Sequence, residues 1–184
     1  MSSGSIWRAF QPGDILLYSH RGPIGWIIGA KTWSRFTHVE IAGAAGTAYA
    51  SRIPDGVRHF PFDPKDLALV LRPFKAFNAR AARHWFTTVD GQGYDYIGLL
   101  NFTTAQYIGP TNRRQFCSEF AARFLRAGGM DLFNRQDADT ISPRDFTLAR
   151  TRLIWESDRE IQHRFESHVG GRPNPITGVG IERT

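Results

Sequence analysis

Apolar and polar residues follow two distinct rhythms along this chain. In "RFTHVEIAG" (35–43) they alternate with the period of a strand, placing Phe36, His38, Glu40 and Ala42 on one face and Thr37, Val39 and Ile41 on the other. "QPGDILLYS" (11–19) opens with a Pro-Gly turn and runs into a β-type segment. "GTAYASRI" (46–53) is joined through Pro54-Asp55-Gly56 to "VRHFPF" (57–62), a hairpin signal. "DLALVLRPF" (66–74) is nearly continuous in apolar residues, which predicts a central strand, and "TRLIWES" (151–157) predicts a last one. The helical rhythm occurs in three places. "GPIGWIIGAKTWS" (22–34) has Ile24, Ile27, Ile28 and Trp33 at helical spacing, and Asn78 can cap a helix over 79–89 that ends near Gly91 and Gly93. Along 115–128, Phe116, Phe120 and Phe124 form one i, i+4 row and Cys117, Ala121 and Leu125 the next. Asn112 followed by Gln115 resembles a capping box for that helix, and Gly128-Gly129 stops it. The aromatic, glycine-spaced stretch 93–109 fits neither rhythm.

Strands cluster between helical regions rather than alternating with them, which predicts an α+β fold with a mostly antiparallel sheet. The length of 184 residues suits one domain, here 1–167, followed by a Gly/Pro-rich irregular tail, 168–184. The net charge of +6 raises the question of an anionic partner. Of the 23 basic residues 20 are Arg, scattered from Arg8 to Arg183 with only Arg113 and Arg114 adjacent, so dedicated nucleic-acid binding is not expected. The basic field favours cell wall, phospholipid headgroups or acidic peptides instead. "MSSGSIWRAF" lacks the features of a signal peptide, and the apolar run 22–30 is too short to span a bilayer. The expectation is a chain made in the cytoplasm without a transmembrane segment, carried elsewhere only by a virion or secretion assembly.

A single cysteine excludes an intramolecular disulfide. Cys117 faces inward near the start of its helix. A lone Cys on an apolar face is usually a small buried hydrophobe. The start of a helix is nevertheless one of the few places that favours a thiolate. A nucleophilic Cys needs a base, almost always His. His163 and His168 lie in or beside the tail, His84 sits mid-helix, His20 is in a polar turn and His59 in a hairpin strand. His38 differs, because Glu40 lies about 7 Å further along the same strand face, within side-chain reach. The pair reads as a solvent-facing polar patch, as half of a metal site for which no third ligand stands at recognisable spacing, or as a base with its orienting group.

The order of blocks carries more information. "GDIL", a short helix, "THVEI", a strand ending in "AS", the hairpin "PDGV", an apolar strand, a helix, "YDYIGLL" and finally "FCSE" resembles the circularly permuted branch of the NlpC-type papain-like hydrolases. This is the YiiX-like group, with lecithin:retinol acyltransferase a more distant relative, and the likeness covers roughly residues 11 to 150. It implies a permuted papain-like fold in which the His strand precedes the Cys helix. Carried over by position, it implies Cys117 as nucleophile and His38 as base. Acyltransferase-type relatives take their third group about a dozen residues after the His, where this chain has Ala50 and Ser51. The His-x-Glu of the YiiX-like branch is intact, so the orienting role falls to Glu40, with Tyr18 and Ser51 as outside candidates. Glu119, about 200° around the helix from Cys117, is expected to be a structural partner for an Arg.

The resemblance implies acyl transfer through a thioester, and no metal or cofactor is expected. The leading substrate class is the amide bonds of peptidoglycan peptides, whose carboxylates suit an Arg-rich rim. The alternatives are lipid acyl hydrolysis or transfer, and a non-catalytic basic module within a larger assembly, such as a phage, reached through the tail.

Overall fold

The computed structural model describes residues 6–19, 34–94, 114–134 and 137–158. Strands β1 (Ile15–Tyr18), β2 (His38–Ala42), β3 (Thr47–Arg52), β4 (Gly56–Pro61) and β5 (Leu67–Pro73) are followed by the two-residue strands β6 (Gly93–Tyr94) and β7 (Arg114–Gln115), and then by β8 (Thr151–Glu156). Six of them form one sheet in the order β4-β3-β2-β1-β5-β8, antiparallel at every step, while β6 and β7 pair in parallel. Among the described residues the α-helices are α1 (Ala79–Phe86), α2 (Cys117–Ala127) and the single turn α3 (Asp145–Leu148). The chain is thus α+β with a mostly antiparallel sheet. None of the described helices is long and apolar enough to cross a membrane.

Both faces of the sheet are covered, which is why β1 and β5 read as unbroken apolar runs. One face presents Ile15, Leu17, Val39, Ile41, Tyr49 and Val57 to helices α1 and α2. The other presents Leu16, Tyr18, Ala42, Ala48 and Val70, against which Phe10, Phe62 and Trp155 pack. Phe124 of α2 is the hub of the helical layer. Its ring centroid lies 4.7 Å from that of Tyr49, 5.7 Å from Phe120 and 5.9 Å from Phe77. The hairpin turn needs Gly56, whose φ is +72° and whose missing Cβ makes room for the Gln92 carbonyl.

Helix α1 has the predicted cap, with Asn78 Oδ1 accepting from the Ala81 amide at 3.0 Å. It ends at Phe86 instead of residue 89, because Thr87 and Thr88 turn their hydroxyls onto the carbonyls of His84 and Trp85, each at 2.7 Å. Helix α2 starts later than the capping-box reading requires. Gln115 belongs to β7, paired with Tyr94, and Phe116 is the N-cap, in extended backbone with no side-chain cap bond. A cap contributes only about 1 kcal/mol, which burial of the Phe116 ring and the β ladder outweigh. The readings on 22–33, on 95–109, on Asn112 and on the tail from 168 fall outside the described residues, as do His20, His163 and His168.

Truncating the hub tests this packing. Phe124→Ala should cost about 3–5 kcal/mol. In urea titrations the midpoint should fall with the slope unchanged.

Candidate active site

The site is built where the sheet meets the start of α2. This helix packs on β2 and β3, and Cys117 is its first residue, 3% exposed. The N-terminal end of an eleven-residue helix presents a positive dipole end and first-turn amides that lack intrahelical acceptors. Phe116, as N-cap, has no side-chain oxygen to offer them.

His38 is the first residue of β2 and pairs with Tyr18 of β1. Its Nε2 lies 3.0 Å from Glu40 Oε1, so the strand period brings the two side chains together as read from the alternation. The Cys117 side chain lies beside the ring, near enough to act on its titration by charge and by hydrogen bonding. With Nε2 on Glu40, Nδ1 is the nitrogen left to meet the sulfur. Glu40, Tyr18 and Arg52 lie on the sheet face away from the helices, whereas Cys117 comes from the helical side. His38, at the end of its strand, is the side chain that joins the two sides.

Glu40 is 2% exposed and its carboxylate is crowded with donors. Arg52 grips it with a two-point fork, Nε to Oε1 at 2.6 Å and Nη2 to Oε2 at 2.9 Å. The Tyr18 hydroxyl lies 3.3 Å from Oε2 and 3.1 Å from the Asp63 carbonyl, either of which can accept its proton. The outer side of the Arg52 guanidinium rests over the Phe60 ring at 4.1 Å.

Burial alone would raise the Glu40 carboxyl, but hydrogen bonds from His38 and Arg52, reinforced by their charges, hold it down to about 2. Burial would likewise lower His38. The adjacent Cys117 sulfur, by charge and hydrogen bond, and then Glu40 raise it instead, from 6.5 to about 10. Burial first and the Glu40 charge second push Tyr18 well above its ordinary 10. The arrangement is a chain of contacts: the Cys117 sulfur, the His38 imidazole, the Glu40 carboxylate and the Arg52 guanidinium.

The other residues singled out in the sequence lie elsewhere. His59 is exposed and stacks on Tyr49 at 4.5 Å, and His84 is exposed on α1. Ser51 is buried on β3, paired with Val57. Glu119 bonds Arg123 at 2.7 Å within the helix. Sequence reasoning passed over Arg52. Its signal lay in the hairpin: the register Ile41↔Tyr49, Ala42↔Ala48, continued along both strands, sets Arg52 beside His38.

Removing the guanidinium should expose how much Glu40 depends on it. Arg52→Met leaves a carboxylate buried with one cation fewer and should cost about 2–4 kcal/mol at pH 7, since Arg52 is itself 26% exposed. Ionised Glu40 contributes stability that is complete above its unfolded value near 4.5 and lost as pH falls through about 2. Thermal or urea unfolding of both proteins should therefore show the gap at full size above pH 4.5 and closing between pH 4.5 and 2. A gap constant down to pH 2 would assign the loss to packing alone.

No family model and no curated protein matches the chain. Among solved structures it is similar to the crystal structure of metalloprotein YiiX from Escherichia coli O157:H7 (DUF1105), with a TM-score of 0.60 and 16% identity over 80% of this chain and 97% of that one. Among the described residues no group of three or more His, Cys, Asp and Glu side chains is arranged to hold a metal ion, and Glu40 already faces the Arg52 guanidinium. At this identity the likeness is one of fold.

Proposed function

We propose that this chain is a cysteine hydrolase of the permuted papain-like kind, with Cys117 as nucleophile, His38 as base and Glu40 as the group that orients the imidazole. The observation that carries this reading is the His38 ring held between the Cys117 sulfur and the Glu40 carboxylate. Chain order, with the His strand before the Cys helix, and the fold likeness to YiiX support the permuted form. The hydrolase domain is assigned to 1–167, with 168–184 as a tail that joins it to a larger assembly.

The chemistry follows from this chain of contacts. His38 accepts the thiol proton and so generates the nucleophilic thiolate. The sulfur attacks the substrate carbonyl carbon, and backbone N–H groups at the start of α2 receive the developing oxyanion. The C–N bond breaks as His38 gives its proton to the departing amine, leaving a thioester. Water then attacks the thioester carbonyl as His38 takes its proton, the C–S bond breaks to return the Cys117 sulfur as a thiolate, and the acid leaves. Glu40 bonds Nε2–H throughout, which keeps Nδ1 aimed at the sulfur and stabilises the imidazolium.

Amide bonds in peptidoglycan stem peptides are the proposed substrates. The net charge of +6, almost all of it from Arg, suits their carboxylates.

Purified protein incubated separately with muropeptides and with short-chain phospholipids tests the reading. New peptide termini are expected, with the rate lowered by about 10³-fold or more in Cys117→Ala and in His38→Ala, and by less in Glu40→Gln. Acyl release without new termini would transfer the assignment to lipid substrates. Turnover untouched by either alanine variant would remove the site, and no turnover of either class would favour a binding module.

A further inference from the structure

The orienting group is itself in an improbable state. A carboxyl group with 2% exposure is pushed by burial toward its neutral form, and a neutral Glu40 would disable the base. Its hydroxyl would donate to Nε2 of His38, the ring proton would move to Nδ1, and an N–H would then face the thiol where a proton acceptor is needed. The carboxylate must also hold its plane, since rotation about the terminal bond would carry Oε1 away from Nε2.

Arg52 answers both requirements at once. Its fork spans both oxygens, at 2.6 and 2.9 Å, so that it supplies a full compensating charge and fixes the plane in which His38 finds Oε1 at 3.0 Å. The groups facing Glu40 are Tyr18 from β1, His38 from its own strand and Arg52 from β3. Cys117 of α2 acts on it through His38, and Asp63, after β4, acts through Tyr18 and Arg52. Arg52 is the one permanent cation among them, because His38 is itself the group to be controlled. A lysine could supply the charge but not the fork.

From this geometry we infer that Arg52 is a positioning residue of the site, holding Glu40 ionised and in plane so that the imidazole presents the correct nitrogen to Cys117. The inference rests on the assignment of Cys117 and His38 as nucleophile and base. It makes the functional unit a tetrad of Cys117, His38, Glu40 and Arg52, in which Arg52 touches neither the sulfur nor the ring in any described bond.

Cys117 is the only cysteine in the chain, so alkylation by iodoacetamide reads the site without any substrate. The rate is measured from pH 3 to 10 for the wild type, Arg52→Met, Arg52→Lys, Glu40→Gln and the Arg52→Met/Glu40→Gln double variant, with near-UV circular dichroism confirming the fold at each pH. The wild type should alkylate well into the acid range. Arg52→Met should move the acid limb upward by at least about one pH unit, a tenfold or greater loss of rate on that limb, because Glu40 then protonates sooner. Arg52→Lys, the variant that best preserves folding, should fall between the two. In the Glu40→Gln background the Arg52 substitution should add no further shift. An unchanged limb in folded Arg52→Met or Arg52→Lys overturns the inference while leaving the Cys117–His38 assignment in place. A full additional shift in the Glu40→Gln background also overturns it, since Arg52 would then act on the sulfur directly. Wild-type Cys117 that reacts only after denaturation removes the active-site assignment, and the positioning role with it.

Discussion

The buried carboxylate of Glu40 is the constraint on which this molecule is organised. A charge with 2% exposure persists only where donors replace its lost water, and here three side chains from three strands do so. Those donors tie β1, β2 and β3 together on the sheet face away from the helices. They also set one another's protonation, since Arg52 and His38 hold Glu40 low while Glu40 helps to hold His38 high.

The second constraint is the two-sided sheet. Because apolar layers cover both faces, a side chain in mid-strand is confined to one of them. Only a residue at a strand end can reach a group on each side, and His38 occupies the first position of β2. Helix α2 brings Cys117 to that same end, held by the aromatic stack of Phe120 and Phe124 on Tyr49 and Phe86. The packing that stabilises the fold is therefore also what sets the distance between sulfur and imidazole.

Much of this was legible in the sequence, because local period and local capping decide much of it. Alternation over 35–43 put His38 and Glu40 on one face, the apolar run 66–74 marked a strand flanked on both sides, and Asn78 announced α1. The start of α2 was misread because a cap preference of about 1 kcal/mol lost to burial of Phe116 and to the β6–β7 pairing, both of which are tertiary facts.

Sequence by itself determined which residues share a face, that one thiol and one histidine–carboxylate pair were available, and that strands would group between helices. Only the tertiary structure decided which side chains meet across those elements. Arg52 lies fourteen positions after His38 and carries no local mark that separates it from the chain's other arginines. It becomes part of the site because strand register, set by the β2–β3 turn and the buried pairs Ile41↔Tyr49 and Ala42↔Ala48, slides it opposite His38. The same holds for Cys117, seventy-nine residues from its imidazole partner: the helical period turns it inward, but long-range packing brings the start of its helix to the end of β2. Period is a property of neighbours along the chain, whereas charge pairing across strands depends on register and burial, which exist only once the sheet has formed.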